Sequence, residues 1–180
     1  EYEMSEEMQE LGADIYCQGC TGNGTGLSAF LNNLTNYDII LVEDPNLNPA
    51  QVNQLESYTL NGGITFFSED VGGGNDAFGL KQSDQVGVNN ATVINFDPYL
   101  KINVGKSYAL KQTQSLENTL GDPEVINYVE IARYANNFGA IMKWNYGNGK
   151  IYYFGDFQVL SGDNFQNETK NAIETIMFEN

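Results

Sequence analysis

Residues 36–70 carry the sequence NYDIILVEDPNLNPAQVNQLESYTLNGGITFFSED, which predicts a strand, a helix and a second strand in succession. The apolar run at 37–42 is typical of a strand that is buried on both faces. Asn48 and Pro49 predict the start of the helix, because a capping side chain is followed by proline at the first helical position. A glycine pair ends the helix, and residues 64–67 then predict another buried strand.

The segments before this stretch continue the same alternation of helices and strands. Residues 1–12 have the pattern of an amphipathic helix, and residues 14–17 that of a short strand. A second helix is predicted at 27–34, with Leu27, Phe30, Leu31 and Leu34 on one face. Helices that alternate with strands imply parallel crossover units.

The second half of the chain has a different pattern. Shorter strands with alternating apolar and polar residues are predicted at 92–96, 99–104, 108–111 and 128–133. Residues 140–144 and 150–154 flank the turn sequence Tyr-Gly-Asn-Gly and predict a hairpin. A last helix is predicted at 167–178. Since no linker or internal repeat interrupts the 180 residues, we expect one domain over 1–180.

The charge of the chain excludes several classes of function. Eight Lys and Arg residues against 24 Asp and Glu residues give a formal net charge of −16. A surface this negative repels phosphate groups, so we expect neither nucleic-acid binding nor attachment to anionic membranes. No stretch approaches the roughly 20 apolar residues that a membrane span needs, so no membrane insertion is expected.

The chain contains no histidine and a single arginine, Arg133. Catalysis by Ser-His or Cys-His pairs is therefore excluded, as are metal sites that use histidine. Bidentate clamps on carboxylates or phosphates are nearly excluded by the same count.

Two stretches resemble the class I glutamine amidotransferase-like superfamily, which includes ThuA-like domains. They are residues 36–70, quoted above, and residues 138–157, FGAIMKWNYGNGKIYYFGDF, which are similar to its closing hairpin. The resemblance covers about residues 1–70 and 128–180 and implies an α/β fold. We therefore predict a three-layer sandwich with a mainly parallel sheet and an antiparallel extension, of the flavodoxin or amidotransferase-like type.

The resemblance does not extend to the catalytic residues of that superfamily. Its catalytic members place a Cys on the turn after the glycine-led strand, with His and Glu later in the chain. The matching turn here begins with Ser68, and no histidine is present to activate a nucleophile. A non-catalytic member is therefore predicted, although a degenerate hydrolase that uses carboxylates alone stays open.

Cys17 and Cys20 are the only cysteines. The pair favours a structural disulfide, and hence an oxidising compartment. A redox pair and a metal shared between two chains are the alternatives, but no helix follows the second cysteine at once and two thiolates do not complete a metal site.

Four carboxylates follow the carboxyl ends of the two predicted parallel strands, where open α/β sheets collect their ligands. They are Glu43, Asp44, Glu69 and Asp70. Oxygen ligands suit a hard cation such as calcium, so a divalent-cation or carbohydrate-binding module at this edge is the alternative function. No other cofactor is expected. The simplest interpretation is that these are solvated acids.

The hairpin near the end of the chain concentrates aromatic residues. If Trp144, Tyr146 or Tyr152 is exposed, it would favour an interface, because Tyr and Trp are enriched at protein contacts. Strand alternation puts half of such side chains in the core.

Four asparagines fit the N-x-[ST] acceptor pattern: Asn23, Asn33, Asn90 and Asn167. They favour an exported glycoprotein, located outside the cell or at its surface. The alternative is that they are turn asparagines that happen to precede a hydroxyl residue.

The function that follows is a non-catalytic structural or assembly domain with a protein partner or a second copy of itself. The fold that the chain resembles has a strand before its first helix, whereas this sequence opens on the predicted helix. A missing inner strand leaves backbone groups unpaired. The strand predicted at 14–17, an upstream segment or a neighbouring chain could fill that place. Head-to-tail contacts of this kind build filaments unless they close into rings.

Overall fold

The computed structural model describes residues 29–42, 47–68, 78–83, 90–109, 115–117 and 121–155. Within these ranges it has one α-helix of twelve residues, α1 (Pro49–Leu60), and a short 3-10 helix at Leu34–Asn36. The strands are β1 (Ile39–Val42), β2 (Ile64–Ser68), β3 (Lys81–Ser83), β4 (Asn90–Val93), β5 (Ser107–Ala109), β6 (Ser115–Glu117), β7 (Val125–Tyr134), β8 (Gly139–Tyr146) and β9 (Gly149–Phe154).

Seven of these strands form one sheet in the order β1-β2-β9-β8-β7-β4-β5. β2 is parallel to both of its neighbours, β1 and β9, whereas the four remaining neighbour pairs are antiparallel. β3 and β6 pair separately as a small antiparallel sheet.

The predicted fold class, a three-layer α/β sandwich with a mainly parallel sheet, is wrong. The sheet is a curled mixed sheet, and only two of its six neighbour pairings are parallel. Parallel neighbours need a crossover connection, and residues 36–70 supply one through α1. β7, β8 and β9 instead follow one another through short turns, which makes them antiparallel.

The unit β1-α1-β2 forms as its sequence predicts. The side chain of Asn48 accepts hydrogen bonds from the N–H groups of Ala50 (3.0 Å) and Gln51 (3.1 Å), and Gln51 Oε1 accepts the Asn48 N–H at 2.8 Å. This capping box fixes the first turn of α1. Gly63 follows the helix because the Tyr58 ring occupies the space that a Cβ would need there.

The predicted hairpin is also confirmed. Tyr146 pairs with Gly149 at the end of the β8–β9 ladder, so the turn has only two residues. Gly147, the first of them, has φ +58°, a conformation that side chains other than glycine rarely adopt.

The large sheet has an apolar core on each face. On the first, which we call the helix face, α1 packs over Trp144 and Tyr153. On the second, which we call the loop face, the connection at 94–106 packs over Phe66 and Tyr152. Tyr152 and Tyr153 are adjacent in sequence and lie on opposite faces, as the alternation of a strand requires.

The strand predicted at 99–104 is wrong, because these residues form turns between β4 and β5. Helical structure at 29–31 falls within the helix predicted at 27–34, and the 3-10 helix at Leu34–Asn36 overlaps its last residue. The elements predicted at 1–12, 14–17 and 167–178 lie outside the described residues.

Candidate functional site

Most of the residues predicted to form sites lie outside the described part of the chain. This holds for the pair Cys17 and Cys20 and for the carboxylates Glu43, Asp44, Glu69 and Asp70. Ser68 is the last residue of β2. The disulfide and the calcium site therefore stay predictions.

Two of the four glycosylation acceptors are described, and both are exposed. Asn33 lies in the turn before the 3-10 helix, where its Nδ2 donates a hydrogen bond to the Ala29 carbonyl at 2.7 Å. Asn90 begins β4, and Thr92, the hydroxyl residue of its acceptor pattern, shares a 3.0 Å hydrogen bond with Ser107. Asn23 and Asn167 lie in segments that are not described.

The aromatic residues of the hairpin are buried and form no exposed platform. Trp144, Tyr146 and Tyr152 are 1%, 7% and 0% exposed, respectively. Trp144 Nε1 donates a hydrogen bond to the carbonyl of Phe78 at 3.1 Å. Tyr152 stacks on Phe66 with ring centroids 4.8 Å apart. All three side chains are held by core contacts and are not available for the predicted interface.

Asp97 attaches the 94–106 loop to the sheet. Its Oδ1 accepts hydrogen bonds from the N–H groups of Tyr99 (3.0 Å) and Leu100 (2.9 Å), and its Oδ2 accepts one from Lys143 Nζ on β8. The Asp97 side chain is fully buried and that of Lys143 is 23% exposed. A buried carboxylate is costly unless it is paired and hydrogen-bonded, and here it is both.

Two polar side chains of β9 lie beside this ion pair. Tyr152 is opposite Lys143 in the ladder, and its buried hydroxyl has no hydrogen-bond partner among the residues described. The Lys150 ammonium lies 5.1 Å from the centroid of the Tyr99 ring. Burial and the charge of Lys143 lower the pKa of Lys150, and Asp97 opposes that shift. Burial above all raises the pKa of Tyr152, so its hydroxyl stays protonated.

The helix face carries three carboxylates around Tyr146. Glu56 of α1 accepts a 2.7 Å hydrogen bond from the Phe78 N–H. Burial raises the pKa of Glu56, this hydrogen bond opposes the shift, and Asp122 adds to it. Burial, followed by the charges of Glu56, Asp122 and Glu124, raises the pKa of Tyr146 to about 12. Neither of the two ion pairs found in the described ranges includes these carboxylates.

Three large apolar side chains are exposed on the 94–106 loop. Ile94 is 38% exposed, Phe96 61% and Val104 59%. Backbone hydrogen bonds of 2.8 and 2.9 Å between residues 93 and 105–106 hold the two ends of the loop side by side. Ile94 and Val104 therefore lie at adjacent ends of the loop, and Phe96 is two residues from Ile94 on the same loop.

Two exposed lysines lie on the same loop. Lys101 is in the turn after Asp97, and the Lys106 ammonium lies 4.5 Å from the ring centroid of Tyr108. The loop thus combines apolar side chains with positive charge in a strongly acidic chain. We call this surface, formed by Ile94, Phe96, Lys101, Val104 and Lys106, the loop patch.

An open cleft of about 460 Å³ lies between α1 and residues 31–38, at the amino ends of β1 and β2. Its floor is fixed by the Tyr58 hydroxyl, which donates a 3.0 Å hydrogen bond to the Tyr37 carbonyl. Amide and hydroxyl side chains also line the cleft, those of Asn32, Thr35, Gln54, Ser57 and Asn61, beside the apolar side chains of Leu31 and Leu34. The cleft is at the edge of the sheet opposite to the one predicted to bind ligands.

Among the described residues, the features that could bind another molecule are the loop patch and the cleft beside α1. No group of three His, Cys, Asp or Glu side chains in the described ranges could hold a metal ion. The same ranges contain no helix that is long and apolar enough to cross a membrane. The buried acid Asp97 and the half-buried acid Glu56 each have a defined structural partner.

No family model and no curated protein matches the chain. Among solved structures, it is similar to the beta-galactosidase from Bacillus circulans sp. alkalophilus, with 14% identity and a TM-score of 0.55 over 82% of this chain and 23% of that one. It is similar to the N-terminal domain of mmIFT52, with 12% identity and a TM-score of 0.55 over 97% and 88%. A cytoplasmic protein from Salmonella typhimurium is similar at 10% identity, with a TM-score of 0.54 over 95% and 84%.

At these identities the likeness shows the fold alone. The chain spans about a quarter of the beta-galactosidase chain that it matches. The relation to the amidotransferase-like superfamily stays a prediction.

The loop patch and the pair of Asp97 and Lys143 are not evident from the sequence pattern. A local signal for the loop does exist, because an aspartate followed directly by a proline, as at 97–98, favours the start of a turn. No comparable signal indicates Lys143, which is 46 residues away.

Proposed function

We propose that this chain is a non-catalytic domain that works as a structural or assembly unit by binding another protein. The observation that carries the proposal is the loop patch, where three large apolar side chains are exposed on one loop. Apolar groups that cluster at a surface mark interaction sites, whereas single exposed ones need no explanation. Nearby lysines give such a contact specificity.

Two further observations support this function. The whole sequence has no histidine, and the buried Asp97 is already used by Lys143 and by two backbone N–H groups. The fold is also found as one part of a larger protein, since it covers 23% of a beta-galactosidase chain and is the N-terminal domain of mmIFT52. A domain that recurs as a part of larger proteins suits an assembly role.

The test is the mass of the protein isolated from its native source without denaturation. We expect a complex larger than the 19.9 kDa chain, and we expect Phe96→Asp to release the chain from it. A native protein that is only a monomer would contradict the proposal. Hydrolysis of glutamine that disappears in Ser68→Ala would contradict its non-catalytic part.

A location outside the cell or at its surface is part of the proposal. Asn33 and Asn90 support it, because an acceptor asparagine must be accessible to be glycosylated. The test is the intact mass of native protein before and after enzymatic removal of N-glycans. We expect a loss of mass that is smaller in a variant with both Asn33→Gln and Asn90→Gln, and an unmodified polypeptide mass would refute this location.

The cleft beside α1 favours a second candidate function, a carbohydrate-binding module. Planar amides and hydroxyls that converge in an open cleft match the hydroxyl groups of a sugar. Saturation-transfer NMR with a panel of mono- and disaccharides tests this. We expect Ser57→Trp, which fills the cleft, to abolish binding, and Asn53→Trp, on the exposed side of α1, to leave it intact. Binding that survives Ser57→Trp would exclude the cleft.

A further inference from the structure

We propose that the loop patch docks on the acidic helix face of a second copy of this chain, so that copies associate head to tail. This inference rests on the proposed function and names its partner. The inference is based on the two faces of the sheet. One face has the loop patch, which is apolar and positively charged, and the other face has a set of carboxylates.

The first step is the division of charge between the two faces of the sheet. The helix face carries Glu56, Asp122 and Glu124 around Tyr146. The opposite side carries Lys101 and Lys106 on the loop, with Lys150 half-buried beneath it. Residues 1–80 contain no Lys or Arg, so the few cations of the chain are concentrated in the part that includes this loop.

The second step is charge complementarity. Lysines beside exposed apolar side chains fit an acidic partner surface, and each copy of this chain provides one on its other face. Each copy has a formal net charge of −16, and the repulsion between two copies opposes their association. Salt screens this repulsion beyond about 8 Å at physiological ionic strength, so the charges at the contact itself dominate.

The third step is the apolar anchor. Phe96 is 61% exposed and lies between Ile94 and the buried Asp97, so the fixed loop presents the ring to solvent. Exposed aromatic side chains on a rigid support are typical anchors of protein contacts. Three apolar side chains make a small interface, and we expect dissociation constants on the order of 10–100 μM, as for transient contacts.

The geometry of the contact decides the form of the assembly. The two surfaces lie on opposite faces of one sheet, so a copy that uses one of them still has the other available. Such a heterologous contact continues from copy to copy and does not stop at a dimer. Open chains or closed rings are the expected products.

The experiment is sedimentation of the purified full chain from about 1 to about 300 μM, which brackets the affinities of weak interfaces. We expect the average mass to rise above 19.9 kDa with concentration and to pass that of a dimer. Phe96→Asp should weaken association by about tenfold or more. Ile126→Asp is the matched control: it replaces another exposed apolar side chain, 49% exposed on β7, and should change association by less than about twofold.

A charge exchange tests the partner surface. One variant combines Lys101→Glu with Lys106→Glu, and the other combines Asp122→Asn with Glu124→Lys. Each alone should remain monomeric. In the first variant both surfaces are negative, and in the second the new lysine at 124 offsets the remaining charge of Glu56, so the lysines of the loop patch no longer face an acidic surface. An equimolar mixture should associate again, since each variant complements the other. Unchanged thermal unfolding of both variants shows that they are folded, and folded variants whose mixture stays monomeric overturn the head-to-tail contact.

The outcomes separate this inference from the proposed function. A purified chain that stays monomeric over the whole range overturns the second copy as partner. If the native complex is at the same time lost in Phe96→Asp, the patch binds a different protein and the proposed function stands. If no native complex exists either, both fail.

Discussion

The two faces of the sheet are covered in different ways. On the helix face, α1 buries Val52, Leu55 and Tyr58, and its cap accepts hydrogen bonds from the backbone N–H groups of its first turn. On the loop face, the irregular 94–106 connection buries Leu100 and Ile102. Hydrogen bonds from residues 94–95 to β7 and the buried carboxylate of Asp97 attach it to the sheet. The helix face is thus covered by a regular helix with an apolar side, whereas the loop face is covered by an irregular loop that includes a buried ion pair.

The two faces of the sheet therefore contribute differently to the stability and the specificity of this fold. Apolar burial on the helix face is favourable in itself. A buried ion pair adds little net stability over an apolar pair of the same shape, yet it is costly to break. We therefore expect the helix face to supply stability, and the loop face to fix the position of the loop that carries the loop patch.

The largest effect is expected on the helix face. Trp144→Ala removes a side chain that is 1% exposed, together with its hydrogen bond to Phe78. We expect a loss of about 4 kcal/mol in the free energy of unfolding, from lost burial and from the cavity that remains. Urea denaturation followed by circular dichroism measures it.

Trp144→Phe is the matched control, because it keeps most of the apolar volume and loses the hydrogen bond. It should cost about half as much or less. Equal losses for the two variants would show that the hydrogen bond, and not apolar packing, dominates at this position.

The next effect tests the ion pair of the loop face. Asp97→Ala leaves Lys143 without its carboxylate and removes two hydrogen bonds to the loop backbone. We expect a loss of about 3 kcal/mol, because breaking one side of a buried pair leaves an uncompensated charge.

The double variant Asp97→Ala with Lys143→Met separates the buried charge from the loop hydrogen bonds. It should recover at least about 1 kcal/mol of the loss, measured by the same denaturation. A double variant as unstable as Asp97→Ala would show that the backbone hydrogen bonds account for the whole effect.

The same contrast explains what the sequence predicts and what it does not. α1 and the β8–β9 hairpin are encoded locally: the cap of Asn48 is three residues from its partner Gln51, and Gly147 lies in the turn itself. Residues 99–104 alternate like a strand, but Asp97 bonds to the backbone at Tyr99 and Leu100 and makes a turn instead. Local alternation cannot reveal the distant lysine that makes this turn favourable.

The wrong fold class has a related cause. Residues 36–70 correctly predict one parallel pair, β1 and β2, and the prediction extends that arrangement to the whole sheet. The order of the other strands depends on pairings between distant segments, such as β4 with β7, which no local pattern specifies. The exposure of Phe96 depends on that order too, so the loop patch could not be predicted from sequence.

A smaller change in the free energy of unfolding, this time an increase, is expected at Tyr152. Its buried hydroxyl has no hydrogen-bond partner in the described part of the chain, and the ring is held by stacking on Phe66. Tyr152→Phe keeps the ring and removes the unsatisfied group, so we expect a gain of about 1 kcal/mol. The measurement is urea denaturation beside Tyr134→Phe, whose hydroxyl donates to the Gly155 carbonyl at 3.1 Å and whose loss should destabilise. Destabilisation by both variants would mean that the Tyr152 hydroxyl is satisfied.

The smallest effect concerns the pH dependence of the helix face. Burial and the nearby Asp122 raise the pKa of Glu56 above its ordinary 4.5, so the folded state favours the protonated carboxyl more than the unfolded chain does. The stability from this group is complete below pH 4.5 and is lost as the pH rises through the raised value. Glu56→Gln is uncharged at every pH and keeps an oxygen that can accept the Phe78 N–H.

We therefore expect Glu56→Gln to match the wild type near pH 3 and to exceed it at pH 7 by a few tenths of a kcal/mol, since Glu56 is only half-buried and solvent screens its charge. Urea denaturation at the two pH values measures the difference. Glu56→Ala is the control: it removes the charge and the acceptor together and should be less stable than Glu56→Gln at both pH values, because the Phe78 N–H loses its partner. If Glu56→Gln is instead less stable than the wild type at pH 7, the ionised carboxylate stabilises the helix face. The negative charge of Glu56, which is part of the acidic surface in the head-to-tail contact, would then stabilise the folded state and not destabilise it.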